Sequence, residues 1–320
     1  MKTIAVLTGG PAAEREISLK SARTVFEHLP RDRYRPYLIE LRGKVFVEVA
    51  SATPLDLNDF SLTVDGEKIA FDAVYGSIHG SPYEDGRLQG YFEMLGIAYT
   101  GGAPPDMALT FDKQLTKAAL RPHGLPLAQS IRMRRTDKLD PSKITHLKFP
   151  LFVKPNANGS SYGVSKVEQL ADLTAAVAKA FQYDQSVLIE EFLDGREFTQ
   201  GVYRNASGEV VVLPLTEIRT GNSFFDFDAK YQGNSEEITP ADVPETDRIA
   251  CSTFTQLIYE LLGMKGVSRV DYILRDGLFY MLEINTVPGM SEASIIPQQC
   301  AAAGVPLGEL LHAVLVEALA

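Results

Sequence analysis

Short apolar runs alternate with segments of helical spacing over the first hundred residues. The run TIAVL at 3–7 leads into Gly9 and Gly10, and the next segment has apolar positions every three or four residues: Ala22, Val25, Phe26 and Leu29. This order predicts a buried strand followed by a helix. YRPYLIEL and FDAVYGSI predict two further strands, EDGRLQGYFEMLGI a second helix, and AYTGG a short strand. Strands that alternate with helices form parallel sheets, so we expect a doubly wound α/β unit over residues 1–104.

The pattern changes after Pro104 and Pro105. DMALTFDKQLTKAAL predicts a helix, and the chain then predicts strands in SIRMR and FPLFV, a polar loop, another strand, a helix in LADLTAAVAKAF and a strand in SVLIEEFL. This order is typical of an α+β arrangement. We therefore place a second unit at 105–188.

The last unit, 189–320, begins with predicted strands in EFTQGVY and EVVVLPLTEI. A long polar and aromatic loop then runs over 219–244, a helix is expected around 249–262, and a hairpin follows. Loops longer than about 15 residues in compact proteins are usually functional or disordered. The long loop is therefore a candidate for part of a functional site.

The polar loop of the second unit lies within VKPNANGSSYGVSK at 153–166. Its glycines and small polar residues suit either a phosphate-binding loop or a simple hairpin turn. The phosphate-binding patterns GxxxxGK[ST] and GxGxxG are both absent. The residues of this segment alone leave the two interpretations open.

Charged and polar residues occur within two otherwise apolar strands, VSRVDYIL and LFYMLEIN. Because side chains alternate, Arg269 and Asp271 share one face of the first strand, and Glu283 and Asn285 share one face of the second. A two-residue Asp-Gly turn would separate the carboxylates, whereas a three-residue loop would put them on the same face of the hairpin. The turn therefore decides whether these residues form one site.

We expect the three-residue loop, with Gly277 in the left-handed conformation. Burying charged groups within apolar strands is costly unless they bind something. Two carboxylates and an amide oxygen are the hard ligands that Mg²⁺ takes beside nucleotide phosphates, which indicates a metal site at Asp271, Glu283 and Asn285. The alternative is a solvated face with an arginine–carboxylate pair.

Three more residues are candidates because of where they stand along the chain. Glu14 and His79 each follow a predicted parallel strand, and open α/β sheets bind ligands beyond the carboxyl ends of their strands. Lys154 precedes Pro155, which favours an extended backbone from which the lysine could reach a phosphate. Alternatively, Glu14 is a helix N-terminal residue stabilised by the helix dipole, His79 is structural, and Lys154 is a solvated surface residue.

Charge and cysteine content limit the classes of function. The 320-residue chain has a net charge of −10, which argues against binding to nucleic acid or to an anionic membrane. Its two cysteines, Cys251 and Cys300, lack metal-ligand spacing and imply no disulfide framework. Without an apolar run of the length of a signal sequence or a membrane span, we expect a cytoplasmic protein.

The most distinctive segments, in chain order, are GGPAAEREISLKSA, IHGSPYEDGRLQGYFEMLGIAYTG, FDKQLTK, FPLFVKPNANGSSYGVSKV, LIEEFLDGREFT, FDFDAKY, GVSRVDYIL and LEINTVPGMSEASIIP. Together they resemble the D-alanine:D-alanine ligases of the ATP-grasp superfamily over nearly the whole chain. The resemblance implies a Rossmann-like N-terminal substrate domain at 1–104 and two α+β lobes that enclose ATP. Of these lobes, 105–188 carries the glycine-rich loop over the phosphates, and 189–320 carries the metal and substrate sites.

The resemblance implies the following nucleotide and metal contacts. Two Mg²⁺ ions, which Mn²⁺ could replace, would be held by Asp271, Glu283 and Asn285. Many relatives have lysine at the position of Glu191, so only a backbone role is inferred there. The implied ATP contacts are Lys113, Lys154 and Lys230 at the phosphates, Ser160 and Ser161 in the glycine-rich loop, Glu190, Glu191 and Leu193 at the adenine, Glu197 at the ribose, and Asn285.

The implied substrate contacts surround two D-alanine molecules. Glu14 would hold the ammonium of the first, linked by hydrogen bonds to Ser160 and Tyr231, with His79 nearby. The tetrahedral oxyanion would be stabilised by Arg269 and the amide of Gly289. The carboxylate of the second D-alanine would be bound by Ser294 and the amide of Ile295.

The implied reaction forms an acyl phosphate from ATP and one D-alanine, which the amine of a second D-alanine then attacks. The product would supply a peptidoglycan precursor. The loop with Asp226, Lys230 and Tyr231 is expected to close over the site and exclude water. In the family, a tyrosine after this lysine goes with dipeptide formation, and relatives are commonly homodimers through the N-terminal domain. Ser160→Ala is expected to impair turnover more than nucleotide binding.

Other functions compete with this one. The nearest is another ATP-grasp carboxylate–amine ligase that uses D-serine, D-lactate or a different amino acid. A non-catalytic nucleotide-binding module is a second alternative. A dinucleotide-dependent dehydrogenase is a third, although the third glycine of its fingerprint is missing.

Overall fold

A computed structural model describes residues 1–10, 14–159, 162–220 and 235–320. The sequence predictions for Ser160, Ser161, Asp226, Lys230 and Tyr231 lie outside these ranges.

The described ranges contain the following strands and helices. The strands are β1 (Lys2–Gly9), β2 (Tyr34–Arg42), β3 (Val45–Glu48), β4 (Leu62–Val64), β5 (Glu67–Ile69), β6 (Ala73–Gly76), β7 (Ala98–Tyr99), β8 (Ser130–Arg134), β9 (Leu151–Pro155), β10 (Ser165–Val167), β11 (Ser186–Glu191), β12 (Arg196–Arg204), β13 (Val210–Val212), β14 (Thr216–Thr220), β15 (Ser235–Ile238), β16 (Ser268–Arg275) and β17 (Leu278–Asn285). The α-helices are α1 (Arg15–His28), α2 (Arg87–Leu95), α3 (Pro104–Phe111), α4 (Lys113–Leu120), α5 (Leu170–Ala180), α6 (Glu245–Leu261), α7 (Ile295–Ala303) and α8 (Leu307–Leu319). Short 3₁₀ helices occupy Arg121–His123 and Pro141–Ile144.

The first sheet has the strand order β3-β2-β1-β6-β7. Strand β1 pairs in parallel with β2 and β6, as the sequence predicted, and β3 adds an antiparallel edge. Ile4 and Val6 pack in one core with α1 and α8, while Ala5 and Leu7 pack in another with α2. Because both faces of β1 are covered, its sequence is a continuous apolar run.

The second sheet, β10-β9-β11-β8, is antiparallel and is covered by α5. The single helix predicted just before this sheet is wrong, because the chain forms α3 and α4 with a break at Asp112. Asp112 is extended, and its Oδ1 accepts a hydrogen bond of 2.8 Å from the amide of Leu115. An aspartate that caps the next helix therefore ends the helical pattern.

The third sheet has the order β15-β14-β12-β16-β17, with β13 also paired to β12. One strand was predicted in EVVVLPLTEI, but the chain forms β13 and β14 on either side of Pro214. The long loop predicted over 219–244 is also partly wrong, since β15 lies within it and pairs with β14.

In the described residues no single helix is long and apolar enough to span a membrane, and α7 with α8 meets that test only as a pair bent by 107°.

Gly76 ends β6 with the ring of Tyr83 directly against it. A Cβ at this position would lie 1.9 Å from Cζ of the buried Tyr83 ring, whose hydroxyl donates a 2.6 Å hydrogen bond to the carbonyl of Thr100. Because the ring is held, we expect Gly76→Ala to lower the free energy of unfolding by about 2–3 kcal/mol, measured in urea.

A glycine in α2 provides a matched control for this prediction. Apart from the chain neighbours of Gly90 and the backbone of its own helix, the described atom near a Cβ built at Gly90 is Cγ of Pro104, at 4.0 Å. Gly90→Ala should therefore be neutral or stabilising by about 0.5–1 kcal/mol, since alanine favours helix. Equal unfolding curves for the two variants would contradict the packing argument.

Candidate active site

A cavity of about 400 Å³ lies between the second and third sheets. Its wall comes from β9 and the loop after it, from the connection between β11 and β12, and from β16 and β17. The predicted ATP and metal residues that line it are Lys113, Lys154, Glu190, Glu191, Leu193, Glu197, Asp271 and Glu283. The cavity thus joins residues that are up to 170 positions apart in the sequence.

Part of the cavity lining is apolar and aromatic. Ala128, Phe152, Ile273 and Leu282 contribute to its wall, and the rings of Phe152 and Phe192 stack with centroids 5.5 Å apart. Charged residues of β9, β11 and β17 also line this cavity. This combination suits a ligand with a flat apolar part and an anionic part.

A buried group of two lysines and one carboxylate lies beside the cavity. Each oxygen of the Glu190 carboxylate contacts one ammonium, from Lys117 and from Lys154. Burial alone would raise the pKa of the Glu190 carboxyl, but the two lysines outweigh it and hold the pKa at about 2. Sequence reasoning missed Lys117, although a lysine on the buried face of α4, beside Thr116 and Leu120, was a signal for it.

Lys113 joins two parts of the site. It is the first residue of α4, and its ammonium lies 3.1 Å from Oε2 of Glu283 on β17. The same ammonium donates a 2.8 Å hydrogen bond to the carbonyl of Asn158 in the glycine-rich loop. Lys113 therefore fixes this loop relative to the third sheet.

The segment 153–166 connects two antiparallel strands and also lines the cavity, so the two interpretations left open by the sequence are compatible. Oδ1 of Asn156 accepts from the amide of Gln114 at 3.0 Å, and the amide of Ala157 donates to Oδ2 of Asp184 at 2.7 Å. At its far end, the ring of Tyr162 stacks on Tyr183 with centroids 5.9 Å apart. Both ends of the glycine-rich loop are therefore anchored.

The turn predicted between β16 and β17 is wrong. Arg275 pairs with Leu278, so the turn contains two residues rather than three. Asp276 and Gly277 have φ values of 51° and 75°, which is the conformation of a tight hairpin turn. This turn alone would have placed the carboxylates of Asp271 and Glu283 on opposite faces.

A β-bulge nevertheless brings the carboxylates together. Tyr272 pairs with Met281, but the next pair is Asp271 with Glu283, so Leu282 is the extra residue. The shift by one residue reverses the face of every later side chain on β17. The predicted shared face is confirmed, and its cause is the bulge.

Asp271 accepts hydrogen bonds from three side chains. Its two oxygens accept from Nε and Nη2 of Arg269 at 2.9 and 3.0 Å, from the hydroxyl of Thr199 at 2.5 Å, and from the side-chain amide of Asn285 at 2.9 Å. The arginine–carboxylate pair of the alternative interpretation is therefore present, but Asp271 is only 7% exposed and so is not part of a solvated face.

The β16–β17 hairpin presents oxygen-bearing side chains that could hold a metal. Two carboxylates, Asp271 and Glu283, face one cavity, and Asn285 lies next to them on β17. Hard oxygen donors in this combination fit Mg²⁺. The described residues contain no cluster of three or more His, Cys, Asp or Glu side chains that could hold a metal ion, so the candidate ligand set has two carboxylates and one amide.

Glu14 lies between two glycines from other parts of the chain. A Cβ built on Gly159 would be 2.6 Å from Oε1 of Glu14, and one on Gly80 would be 3.0 Å from Oε2. The carboxylate thus touches both the loop after β6 and the glycine-rich loop. Glu84, which the sequence analysis missed, lies near it: burial raises the pKa of Glu84 well above its usual value, and the charge of Glu14 adds to that shift.

His79 is held by two serines of α1. Its amide donates to the hydroxyl of Ser18 at 3.1 Å, and its Nε2 lies 3.3 Å from the hydroxyl of Ser21. Ser21 also accepts a 3.1 Å hydrogen bond from the amide of Met290, which follows Gly289. Burial lowers the pKa of His79 to about 4, so the imidazole is neutral near pH 7.

This low pKa gives a prediction for acid stability. The unfolded chain binds a proton at His79 below a pKa of about 6.5, whereas the folded chain binds it only near a pKa of about 4, so stability falls as the pH drops through this interval. Since His79 is partly exposed, we expect a loss of about 1–2 kcal/mol between pH 7 and pH 5 that His79→Asn lacks, measured by urea unfolding. His123→Asn, at an exposed position, should keep the loss. The same pH dependence in both variants would refute the assignment.

The predicted residues of the second substrate site also lie together. Ser294 is the N-cap of α7, with Ile295 as the first helical residue. The hydroxyl of Ser294 lies 2.7 Å from that of Ser291 and would be 2.8 Å from a Cβ on Gly289. Gly289, Ser294 and the amide of Ile295 therefore form one surface at a helix N-terminus, where the dipole favours an anion.

Comparisons with known proteins show the family of the chain. Residues 3–102 match the family model described as D-ala D-ala ligase N-terminus, and residues 120–316 match the model described as D-ala D-ala ligase C-terminus. The D-alanine–D-alanine ligase of Flavobacterium johnsoniae is 43% identical over 314 residues, or 97% of each chain. That of Parabacteroides distasonis is 44% identical over 317 residues, which cover 97% of this chain and 95% of the relative.

Solved structures give the same result. The VanG D-Ala:D-Ser ligase from Enterococcus faecalis has a TM-score of 0.88 at 29% identity and 98% coverage of both chains. The D-alanine–D-alanine ligase from Bacillus anthracis has a TM-score of 0.84 at 29% identity, with 100% of this chain and 98% of that chain covered. The ATP-grasp fold inferred from the sequence is confirmed. The chain belongs to the D-alanine–D-alanine ligase family.

Proposed function

We propose that this chain joins two D-alanine molecules to D-alanyl-D-alanine, with conversion of ATP to ADP and phosphate, and so supplies a precursor of peptidoglycan. The observation that carries the proposal is the position of Glu14. Its carboxylate touches the glycine-rich loop beside a cavity lined by Lys113 and Lys154. An ammonium-binding group and a phosphate-binding cavity are therefore adjacent, as the ligation of an amino acid with ATP requires.

The cavity would bind the adenosine part of ATP and its phosphates through different residues. The adenine would lie against Phe152, Ile273 and Leu282, near Glu190 and the backbone of Glu191 and Leu193, with the ribose at Glu197. The phosphates would lie at Lys113 and Lys154, whose charges offset the negative charge of the transferred group. Support for ATP also comes from a D-alanine–D-alanine ligase of Bacillus anthracis solved in complex with ATP, with a TM-score of 0.82 at 26% identity.

Two Mg²⁺ ions, or Mn²⁺ in their place, would be held by Asp271, Glu283 and Asn285. When bound, they would neutralise phosphate oxygens and orient the γ-phosphate. Lys113 lies 3.1 Å from Glu283 and is placed to contact the same phosphates.

In the first step, Glu14 would hold the ammonium of one D-alanine. An oxygen of that D-alanine's own carboxylate would attack the γ-phosphorus of ATP. The bond to the β–γ bridging oxygen breaks, and ADP and an acyl phosphate result. Neutral His79 beside this substrate would add a hydrogen bond without a competing positive charge.

In the second step, the neutral amine of another D-alanine would attack the acyl carbon. Arg269 and the amide of Gly289 would stabilise the oxyanion of the tetrahedral intermediate, which collapses with loss of phosphate and of one amine proton. Ser294 and the amide of Ile295 would hold the second carboxylate. The proposed roles of Ser160, Ser161, Lys230 and Tyr231 concern residues outside the described ranges.

The activity can be tested by ADP formation with ATP and a panel of substrates: D-alanine, L-alanine, D-alanine with D-serine, and D-alanine with D-lactate. We expect ADP and dipeptide with D-alanine alone, and absence of D-alanine dependence would refute the proposal. The likeness to a D-Ala:D-Ser ligase makes D-serine the second candidate for the attacking amine. A mixed product formed faster than the D-alanine dipeptide would favour that candidate.

We further propose three domains at 1–104, 105–188 and 189–320, a homodimer formed through the first of them, and a cytoplasmic location. Sedimentation velocity of the purified protein tests the dimer. A monomer at enzyme concentrations that support full activity would refute it.

A further inference from the structure

Lys117 is a buried ammonium for which the proposed reaction has no role. It lies on α4 and is 1% exposed, and its contacts are one oxygen of Glu190 and, at 3.4 Å, the carbonyl of Ala128. The other oxygen of Glu190 contacts Lys154, which is 14% exposed and lines the cavity. The two lysines therefore share one carboxylate, but only Lys154 faces the cavity.

The shared carboxylate affects how easily Lys154 can leave Glu190 for a ligand. The Glu190 side chain is only 5% exposed, so leaving its carboxylate without any counter-ion would be strongly unfavourable. With Lys117 in place, the carboxylate keeps one ammonium when Lys154 turns to a phosphate. Without Lys117, any movement of Lys154 toward a ligand would leave Glu190 charged and unpaired.

We infer that Lys117 is a positioning residue for nucleotide binding: it stays paired with Glu190 and so makes Lys154 available to phosphate oxygens. The three groups together carry one net positive charge, which lies at the cavity wall where Lys154 is. This inference rests on the proposed binding of ATP in the cavity. Lys117 should therefore affect the binding of the phosphates and not that of the adenosine part, since Lys117 itself does not line the cavity.

The test compares ADP with adenosine, which lacks phosphates. Their dissociation constants would be measured by calorimetry or competition, and the ratio of the adenosine constant to the ADP constant reports phosphate binding. Lys117→Met should lower this ratio about tenfold, because Lys154 is then retained by Glu190. A purely structural role for Lys117 would weaken both ligands equally, and an unchanged ratio would overturn the inference.

A second variant separates charge pairing from packing. In Lys117→Met/Glu190→Gln the carboxylate that retains Lys154 is also removed, so the ratio should return to within about threefold of the wild type, whatever happens to adenosine itself. This variant buries no charge at either position and stays informative if the single variant does not fold. A ratio that remains about tenfold low in it would overturn the inference. Failure of the proposed function would appear separately, as a wild-type protein without D-alanine-dependent ADP formation.

Discussion

Replacement of Glu14 by glutamine is expected to lower kcat/KM for D-alanine by about 10²–10³-fold and to leave the dissociation constant of ADP within about twofold. Glutamine has the same shape as glutamate, so the contacts of the side chain with the backbone of Gly80 and Gly159 can be kept. The negative charge that would pair with the substrate ammonium is lost. Removal of one partner of such a pair leaves the other charge unpaired in a poorly solvated site, which explains the size of the effect.

A neighbouring residue provides the control for this prediction. Glu14 is the N-cap of α1, and Glu16 lies two positions later in the first turn with a side chain that is 79% exposed. Glu16→Gln makes the same chemical change at the start of the same helix and should leave kcat/KM unchanged. If Glu14→Gln weakened ADP binding as much as it reduced turnover, Glu14 would act on the fold of the loop and not on the substrate.

The parallel sheet around β1 was predictable because its determinants are local. A strand buried on both faces needs a continuous apolar run, and a helix that packs on it needs apolar residues at helical spacing. Asp112 shows where this reasoning fails. A helix pattern continues through 106–120, and a single capping side chain divides it. Such a cap competes with helix continuation within one turn, which periodicity over a longer window does not detect.

The hairpin of β16 and β17 shows a different failure. We expected the carboxylates on one face and chose the turn that would put them there, but the turn has two residues and a bulge supplies the shift. The demand for one face was right because burying separate charges would be costly. The predicted turn was wrong because a turn and a bulge have the same effect on parity. The Asp-Gly pair at 276–277 favours a two-residue turn, but no feature of the sequence locates the bulge.

Contacts between distant segments were the least predictable part of the site. Lys117 and Glu190 are 73 positions apart, and only the fold brings them together. Glu84 and the serines that hold His79 belong to the same class: each is an ordinary polar residue of a helix or loop until another segment is packed against it. The charged residues of the hairpin could be recognised because they interrupt apolar strands.

Asp271→Asn should abolish most of the turnover, by at least about 100-fold, while binding of ADP in the absence of divalent metal stays close to that of the wild type. The carboxylate accepts hydrogen bonds from Arg269, Thr199 and Asn285, all of which are donors at these contacts. An amide would place its own NH₂ group against at least one of these donors. Loss of the charge would also remove one of two carboxylates from the proposed metal site.

Stability should change as well. Arg269 is 18% exposed and loses its bidentate partner, so we expect the free energy of unfolding to fall by about 2–3 kcal/mol. Asp276→Asn is the matched control, because it makes the same change in the turn of the same hairpin at a side chain that is 85% exposed, where asparagine also accepts the turn conformation. Turnover that persists in Asp271→Asn would argue against a catalytic metal at this hairpin. A wild type that binds ADP but shows no magnesium-dependent turnover would instead support the non-catalytic nucleotide-binding module, since that alternative needs the cavity but not the charge of Asp271.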